Sequence, residues 1–218
     1  MKMSSPFEEE TLLRENEFNG VCLHSTIESL LSALVFKKKD INSINDFYHY
    51  ITSFEYDHPG LTREAYMTHP IRVAKLVTEF SENFTPKEIM LALSHNILEV
   101  TKIESHNIKD KHLRGLIPHI ETLTVNRKLQ WNQAYKTQYY SQIHKSKLAS
   151  TIKILDKVDN LYLLKNNPNL DIKVKYLKEI KKYIVPLSET HLPLCSDLIQ
   201  DLLLYNELML GKKDSNAL

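Results

Sequence analysis

Apolar residues recur at helical spacing along most of the chain, and the clearest such segment runs from Thr85 to Thr101. Its start is well defined, because Thr85 can cap a helix, Pro86 fits the first helical position and Glu88 lies three residues past the cap. Behind this start, apolar side chains spread around most of the helix, as is typical of a helix in a protein core. The pattern therefore predicts one buried helix over residues 85–101.

Three polar side chains interrupt this apolar segment, namely His95, Asn96 and Glu99. Glu99 follows the other two by four and three residues, so all three side chains share one helical face and point toward one place. Buried polar groups need partners, and a histidine with a carboxylate one turn further on is typical of a metal or a bound water. A satisfied core histidine, with Glu99 at an exposed edge, is an alternative that this helix alone leaves open.

A second apolar segment, residues 148–164, predicts another core helix, and Asp156 lies in its middle. Lys153 and Asn160 share the helical face of Asp156, because they lie three residues before it and four residues after it. A buried carboxylate must be paired or must bind a metal. Lys153 could supply the pair by itself, so both interpretations stay open.

His69 precedes Pro70, which is tolerated in a first helical turn, and apolar spacing continues from there to Phe80. The pattern predicts that His69 lies at a helix N-terminus, where a capping or surface role is the alternative to metal binding.

Two amphipathic segments, 171–189 and 192–210, predict helices that close the bundle. Only 4 glycines and no phosphate-binding glycine motif occur, so we expect an all-α fold.

Composition and charge exclude several classes of partner. With 28 basic and 27 acidic residues the formal charge is +1, which gives no reason to expect binding to nucleic acid or to a membrane. No apolar run approaches the roughly 20 residues that span a bilayer, and the opening residues do not resemble a signal peptide. We expect a cytoplasmic protein in which Cys22 and Cys195 are free thiols, with a disulfide between them as the alternative.

Three segments of the chain resemble, in order and spacing, the motifs of the alarmone hydrolases. The segments are YMTHPIRVAKLV at 66–77, LALSHNILEVT at 91–101 and IKILDKVDNLYLL at 152–164. The alarmone hydrolases are HD-domain phosphohydrolases of the RelA/SpoT homologue group, which includes small stand-alone enzymes. The resemblance covers about residues 43–188, and it implies an all-helical HD-domain bundle over residues 41–211. A helical N-terminal accessory segment, residues 1–40, and a disordered tail, residues 212–218, are expected to flank this domain.

The resemblance also implies chemistry. Members of this family use one divalent metal ion, usually manganese, to remove the 3′-pyrophosphate from guanosine tetraphosphate and pentaphosphate, (p)ppGpp. It implies a ligand set of His69, His95, Asn96 and Asp156. It gives Glu99 and Asn96 catalytic positions, and it places Tyr66, Lys153 and Asn160 beside the substrate. Arg63 is a further candidate for binding phosphate, because it lies shortly before His69.

Two departures from the family pattern affect the expected activity. Asn96 stands where the family has the aspartate of its HD pair, and Val100 stands where it has a second acid after Glu99. Asn96 still offers a carbonyl oxygen, but it removes a negative charge from the metal site and cannot accept a proton. Losing a supporting group at a metal site typically costs ~10- to 100-fold in affinity or activity. We therefore expect hydrolysis to be weak, retuned or absent.

Two hypotheses follow. The first is a metal-dependent phosphohydrolase of the (p)ppGpp 3′-pyrophosphohydrolase type, weak or with an altered substrate. The second is a catalytically inactive HD-domain relative that binds a nucleotide or a protein partner in a regulatory role. A third alternative is a helical interaction module unrelated to this family. The expected partner is a nucleotide such as (p)ppGpp or a related phosphorylated small molecule, and a homodimer is left open.

Overall fold

The computed structural model describes residues 6–18, 26–57 and 62–215. Within these ranges the regular structure is helical, apart from an isolated antiparallel bridge between Tyr56 and Thr101. The helices are α1 (Pro6–Phe18), α2 (Ile27–Ala33), α3 (Lys38–Thr52), α4 (Arg63–Phe80), α5 (Pro86–Ser94), α6 (Ile97–Val100), α7 (Lys111–Leu123), α8 (Gln133–His144), α9 (Lys147–Leu163), α10 (Leu170–Glu179), α11 (Val185–His191) and α12 (Ser196–Ser215). Short 3₁₀ segments cover Ser105–Asn107, Leu164–Asn166 and Pro193–Cys195, and Ile180–Ile184 is π-helical. The predicted all-α class is confirmed.

Side-chain caps fix the starts of two helices that position site residues, α5, which leads into His95, and α9. Thr85 Oγ accepts a hydrogen bond from the backbone N–H of Glu88, and the Glu88 carboxylate accepts one from the N–H of Thr85. This is the predicted capping box, and it starts α5. Ser146 Oγ accepts from the N–H of Ala149 at the start of α9. Each cap satisfies N–H groups that have no partner inside the helix.

The central element of the core is α9. It contacts α1, α4, α5, α7, α8, α11 and α12, and nearly all of its residues from Ala149 to Tyr162 are buried. The buried positions include Lys153, Asp156 and Asp159. Burying a charged group costs free energy unless the group is paired. Each of these three α9 side chains therefore needs a hydrogen-bond or ion-pair partner in the core.

The predicted single helix over residues 85–101 is wrong in its middle. α5 ends at Ser94, a turn covers His95 and Asn96, and α6 begins at Ile97. Asn96 has φ −104° and ψ 6°, which lie outside the α-helical region. No Gly or Pro marks this position in the sequence, so apolar spacing alone could not reveal the break.

The predicted start of the helix at His69 and Pro70 is also wrong. α4 begins at Arg63 and is capped by Thr62, whose Oγ accepts from the N–H of Ala65. Pro70 therefore lies inside the helix, where it has no N–H to donate to the carbonyl of residue 66. As a result His69 lies in the middle of α4, which packs against both α5 and α9.

The N-terminal helices form an extension that packs on the rest of the bundle. α1 contacts α4 and α9, and α2 contacts α3 and α4. α3 begins at Lys38, so the predicted boundary after residue 40 falls inside a helix. Cys22 lies outside the described residues, and Cys195 is buried.

The C-terminal helices differ from the two that were predicted. The first is divided into α10, the π-helical segment and α11, and the second, α12, continues to Ser215. Helix thus extends into the predicted tail, 212–218, of which residues 216–218 lie outside the described part of the chain.

Candidate metal centre and cavity

Three side chains from three parts of the chain meet beside α9. His69 comes from α4, His95 from the turn after α5, and Asp156 from the middle of α9. One ligand atom of each lies within 4.8 Å of the others. Asp156 Oδ1 is 3.2 Å from His69 Nε2 and 3.8 Å from His95 Nε2. Two imidazoles and one carboxylate form a donor set that can hold a divalent metal ion.

Each imidazole has its other ring nitrogen held by an acceptor. His69 Nδ1 donates to Asp159 Oδ2 at 2.7 Å, and His95 Nδ1 donates to the carbonyl of Ala92 at 2.7 Å. Both Nε2 atoms are then left as the atoms that face Asp156. His95 Nε2 is buried and has no hydrogen-bond partner among the described residues. A bound cation would satisfy this nitrogen, so the three side chains fit a metal ion.

Asp156 is held as an anion. Lys153 Nζ donates to its Oδ2 at 2.9 Å, and Asn160 Nδ2 donates to its Oδ1 at 2.8 Å. Burial raises the pKa of Asp156, but the charge of Lys153, together with the groups around it, outweighs burial and holds this pKa well below its usual range. Burial lowers the pKa of Lys153, and the charge of Asp156 more than offsets it, so the net pKa is well above its usual value. Both groups are therefore charged at neutral pH.

A second buried aspartate, Asp159, accepts a hydrogen bond from His69, and it was not among the site residues predicted from the sequence. Arg72 donates from Nε to Asp159 Oδ1 at 2.8 Å and from Nη2 to Oδ2 at 3.0 Å, while Arg14 Nη1 donates to Oδ1 at 2.5 Å. Burial raises the pKa of Asp159, and Arg72 and the hydrogen bond from His69 lower it far below its usual range. We call Asp159, Arg14, Arg72 and His69 the Asp159 cluster. The available signal was a second aspartate in the same helix, three residues after Asp156.

The two departures from the family motif have distinct surroundings. Asn96 lines the cavity beside the metal centre, in the turn between α5 and α6. Glu99 also lines the cavity, where its Oε1 accepts from the N–H of Val125 at 2.9 Å and its Oε2 lies 3.4 Å from Arg127. Val100 is an apolar residue buried in the core. No second acid therefore lies next to Glu99 in the sequence.

A cavity of about 540 Å³ opens beside these groups, and part of its lining is aromatic and cationic. Glu179 lines it and accepts hydrogen bonds from Lys136 Nζ at 2.5 Å and from Tyr140 Oη at 2.6 Å. Lys157 Nζ lies 3.2 Å from the same carboxylate. Burial raises the pKa of Glu179, and Lys157 together with Lys136 and Tyr140 lowers it to about 2. We call these four residues the Glu179 cluster.

The predicted substrate residues are divided between the cavity and the surface. Tyr66, Lys153 and Asn160 line the cavity. Arg63 is absent from the described residues that line it, because its exposed guanidinium donates to the carbonyl of Thr52 and pairs with Glu64 at the start of α4. The arginine beside Glu99 is Arg127, which was not among the site residues predicted from the sequence.

Comparison with known proteins supports the fold. No family model matches the chain, and no curated protein matches it significantly. A solved structure described as a metazoan ortholog of SpoT that hydrolyzes ppGpp and plays a role in starvation responses is similar, with a TM-score of 0.59 and 19% identity. The match covers 78% of this chain and 96% of that chain.

The likeness to this solved structure concerns the fold. The chain shares its all-α fold with the SpoT ortholog, in agreement with the fold that the sequence motifs predicted. It carries a histidine, histidine and aspartate group, His69, His95 and Asp156, that could hold a metal ion. No helix in the described part of the chain is both long and apolar enough to cross a membrane.

Proposed function

We propose that the chain is a metal-dependent phosphohydrolase that releases pyrophosphate from a nucleotide of the guanosine tetraphosphate type, with slow turnover or with a related substrate. The observation that carries this proposal is the convergence of His69, His95 and Asp156 while the opposite nitrogen of each imidazole is held by an acceptor. The similar solved protein is described as hydrolysing ppGpp, and this supports the choice of a phosphorylated nucleotide as ligand.

His69, His95 and Asp156 are the proposed ligands of a divalent ion, and manganese is the ion we propose. The carbonyl oxygen of Asn96 is proposed as a further donor, because Asn96 lines the cavity and directly follows His95 in the turn between α5 and α6. Such an ion supplies positive charge that polarises a phosphate and acidifies water. Asn96 brings no charge of its own, so we expect the ion to bind more weakly than with an aspartate at this position.

Glu99 is the proposed general base. Its carboxylate lines the cavity, and the N–H of Val125 holds one of its oxygens in place. Arg127, 3.4 Å from the other oxygen, keeps this carboxylate near a positive charge. A base held in a fixed orientation can take the proton of an attacking water. Val100 offers no second acid for this step, which is consistent with slow turnover.

Four further side chains are proposed to bind the nucleotide. Lys153 and Arg127 carry positive charge at the cavity wall and can offset the charge of the phosphates. Tyr66 and Asn160 line the same cavity and are proposed to border the nucleotide. These contacts orient the phosphorus toward the water that Glu99 activates.

The experiment that tests this proposal combines metal analysis with an assay of the same sample. We expect one metal ion per purified chain and release of pyrophosphate from guanosine tetraphosphate in the presence of Mn²⁺. His95→Ala and Asp156→Ala should lose both the metal and the turnover. His191→Ala is a matched control, because His191 is a partly exposed histidine that contacts His144 and is not among the described residues that line the cavity. A wild-type protein with no metal at millimolar Mn²⁺ and no turnover would end the hydrolase proposal.

The Asn96→Asp variant separates an enzyme from an inactive relative that binds a nucleotide or a protein partner. For an enzyme we expect ~10-fold tighter binding of Mn²⁺, because a carboxylate replaces a neutral oxygen in the ligand set, together with a change in turnover. An inactive relative should show no turnover with either residue. A homodimer and a cytoplasmic location remain predictions from the sequence.

A further inference from the structure

We propose that Arg14, in the N-terminal helix α1, is a positioning residue for the metal centre, which it reaches through Asp159 and His69. This inference rests on the metal site of the proposed function. It extends that site to an element outside residues 43–188, which carry the resemblance to the alarmone hydrolases.

An unbroken series of short contacts joins Arg14 to the candidate ligands. Arg14 Nη1 donates to Asp159 Oδ1 at 2.5 Å, and Asp159 Oδ2 accepts from His69 Nδ1 at 2.7 Å. His69 Nε2, on the far side of the ring, lies 3.2 Å from Asp156 Oδ1. Three helices therefore contribute to one connected group, with α1 at one end and the ligand atoms at the other.

The two oxygens of Asp159 have different tasks. Arg14 Nη1 binds Oδ1, and His69 Nδ1 binds Oδ2, so the contact from α1 helps to fix the rotation of the carboxylate that presents Oδ2 to the imidazole. Arg72 contacts both oxygens, but it belongs to α4, the same helix as His69. Within the described ranges of the chain, Arg14 is thus a contact that reaches Asp159 from outside the α4 and α9 pair. Partners of this kind orient a ligating histidine, and their loss typically costs ~10- to 100-fold in metal affinity.

Arg14 is built into the interior rather than resting on the surface. Its side chain is only 8% exposed, its guanidinium carbon lies 4.4 Å from the centre of the Tyr162 ring, and Glu10 pairs with it at 2.8 Å. A buried charge of this kind is a poor way to attach a helix, because an apolar side chain of similar volume is often equally or more stabilising. The hydrogen bond from Arg14 to Asp159 orients this carboxylate, which an apolar side chain that only attached α1 could not do.

A second ion pair attaches α1 without reaching the metal centre, and it provides the control. Glu15 Oε1 lies 2.8 Å from Lys165 Nζ, and both side chains are partly exposed. Loss of this pair should loosen α1 slightly and leave Asp159 in place. Attachment of α1 and orientation of His69 can therefore be separated by comparing Arg14 with Glu15.

The experiment measures Mn²⁺ affinity of the full chain by calorimetric titration, with circular dichroism to verify that each metal-free variant is folded. We expect Arg14→Ala to weaken Mn²⁺ binding at least ~10-fold. Arg14→Lys should recover part of the loss, because one ammonium can still reach Asp159 Oδ1. The Mn²⁺ affinity of Glu15→Gln should stay within ~2-fold of wild type, because a partly exposed ion pair contributes little free energy. If Arg14→Ala does not fold, the comparison of Arg14→Lys with wild type decides.

Each other outcome overturns the inference or separates it from the proposed function. A folded Arg14→Ala protein with wild-type Mn²⁺ affinity overturns it, and so does an equal loss in Glu15→Gln. A wild-type chain that binds no Mn²⁺ overturns both the inference and the proposed function. Weaker Mn²⁺ binding in Arg14→Ala, with no hydrolysis of guanosine tetraphosphate by the wild type, supports the inference and ends the proposed function alone.

Discussion

Two buried carboxylates in this molecule have similar sets of partners and different surroundings. Asp159 is bound by two arginines and the ring of His69, and Glu179 is bound by two lysines and the hydroxyl of Tyr140. The side chain of Asp159 is fully buried, whereas Glu179 lines the cavity with about a tenth of its side chain exposed.

The difference indicates two uses of buried charge. Arginine presents several donors in a rigid plane, so Arg72 can hold both oxygens of Asp159 and fix its orientation. Lysine is a single charge on a flexible stem, so Lys136 and Lys157 can turn from Glu179 toward a ligand in the cavity. We therefore infer that the Asp159 cluster positions His69 and that the Glu179 cluster supplies cations to a ligand.

The largest effect is expected for Asp159→Asn, which keeps the shape and removes the charge. Arg14 and Arg72 would then lose a buried anionic partner, and a change of this type costs about 3–5 kcal/mol. We expect this loss in the free energy of unfolding of the metal-free chain, measured by urea denaturation at pH 7. A loss below ~1 kcal/mol would show that the Asp159 cluster does not hold the interior together.

A smaller effect is expected for Glu179→Gln, and it should depend on pH. The pKa of Glu179 is about 2 in the folded chain and 4.5 ordinarily, so its charge stabilises the fold above pH 4.5 and this contribution is lost as pH falls toward 2. The shift corresponds to at most ~3 kcal/mol. We expect the difference in unfolding free energy between wild type and Glu179→Gln to be constant from pH 7 to 5.5 and to shrink at pH 3. A difference in unfolding free energy that stays the same between pH 7 and pH 3 would show that the charge of Glu179 does not stabilise the fold.

The smallest effect is expected for Lys136→Ala, and it should concern the nucleotide rather than the metal. We expect the KM for guanosine tetraphosphate to rise ~10-fold, about 1.4 kcal/mol, with unchanged Mn²⁺ affinity. Lys175→Ala is the matched control, because Lys175 lies over the same Trp131 ring as Lys136, at 5.8 Å, and has an exposed side chain. Equal losses of nucleotide and Mn²⁺ binding would mean that the two clusters are not separate in function.

The sequence predicted helices well where apolar spacing and caps agree, and poorly where the backbone changes direction without a marker residue. The capping box at Thr85 was correct because its hydrogen bonds are local. The break at Asn96 was missed because no Gly or Pro near it marks the change of direction in the sequence. Pro70 led to the reverse error. A proline typically marks the start of a helix, which predicts a boundary at this position, but α4 continues through Pro70 in the folded chain.

The candidate site was predictable as far as the motifs reach. His69, His95 and Asp156 were named from three segments, and the structure brings their ligand atoms together. Arg14 and Asp159 lie 145 residues apart in the chain, and such a pair leaves no local pattern that a single sequence can reveal. Arg63 was nominated for its nearness in sequence, whereas the direction of its side chain is set by the start of α4.

The π-helical segment Ile180–Ile184 accommodates one extra residue between α10 and α11. Its hydrogen bonds close on the fifth residue rather than the fourth, so its turn holds one residue more than an α-helical turn. Deleting one residue there should restore a continuous α-helical path in which α10 and α11 keep the faces that they now present to their neighbours. Glu179, the last residue of α10, would then still face the cavity. A relative with a one-residue gap at this point is therefore expected to keep the acidic group of the cavity, whereas a one-residue gap inside α10 itself would rotate the residues before it by about 100°.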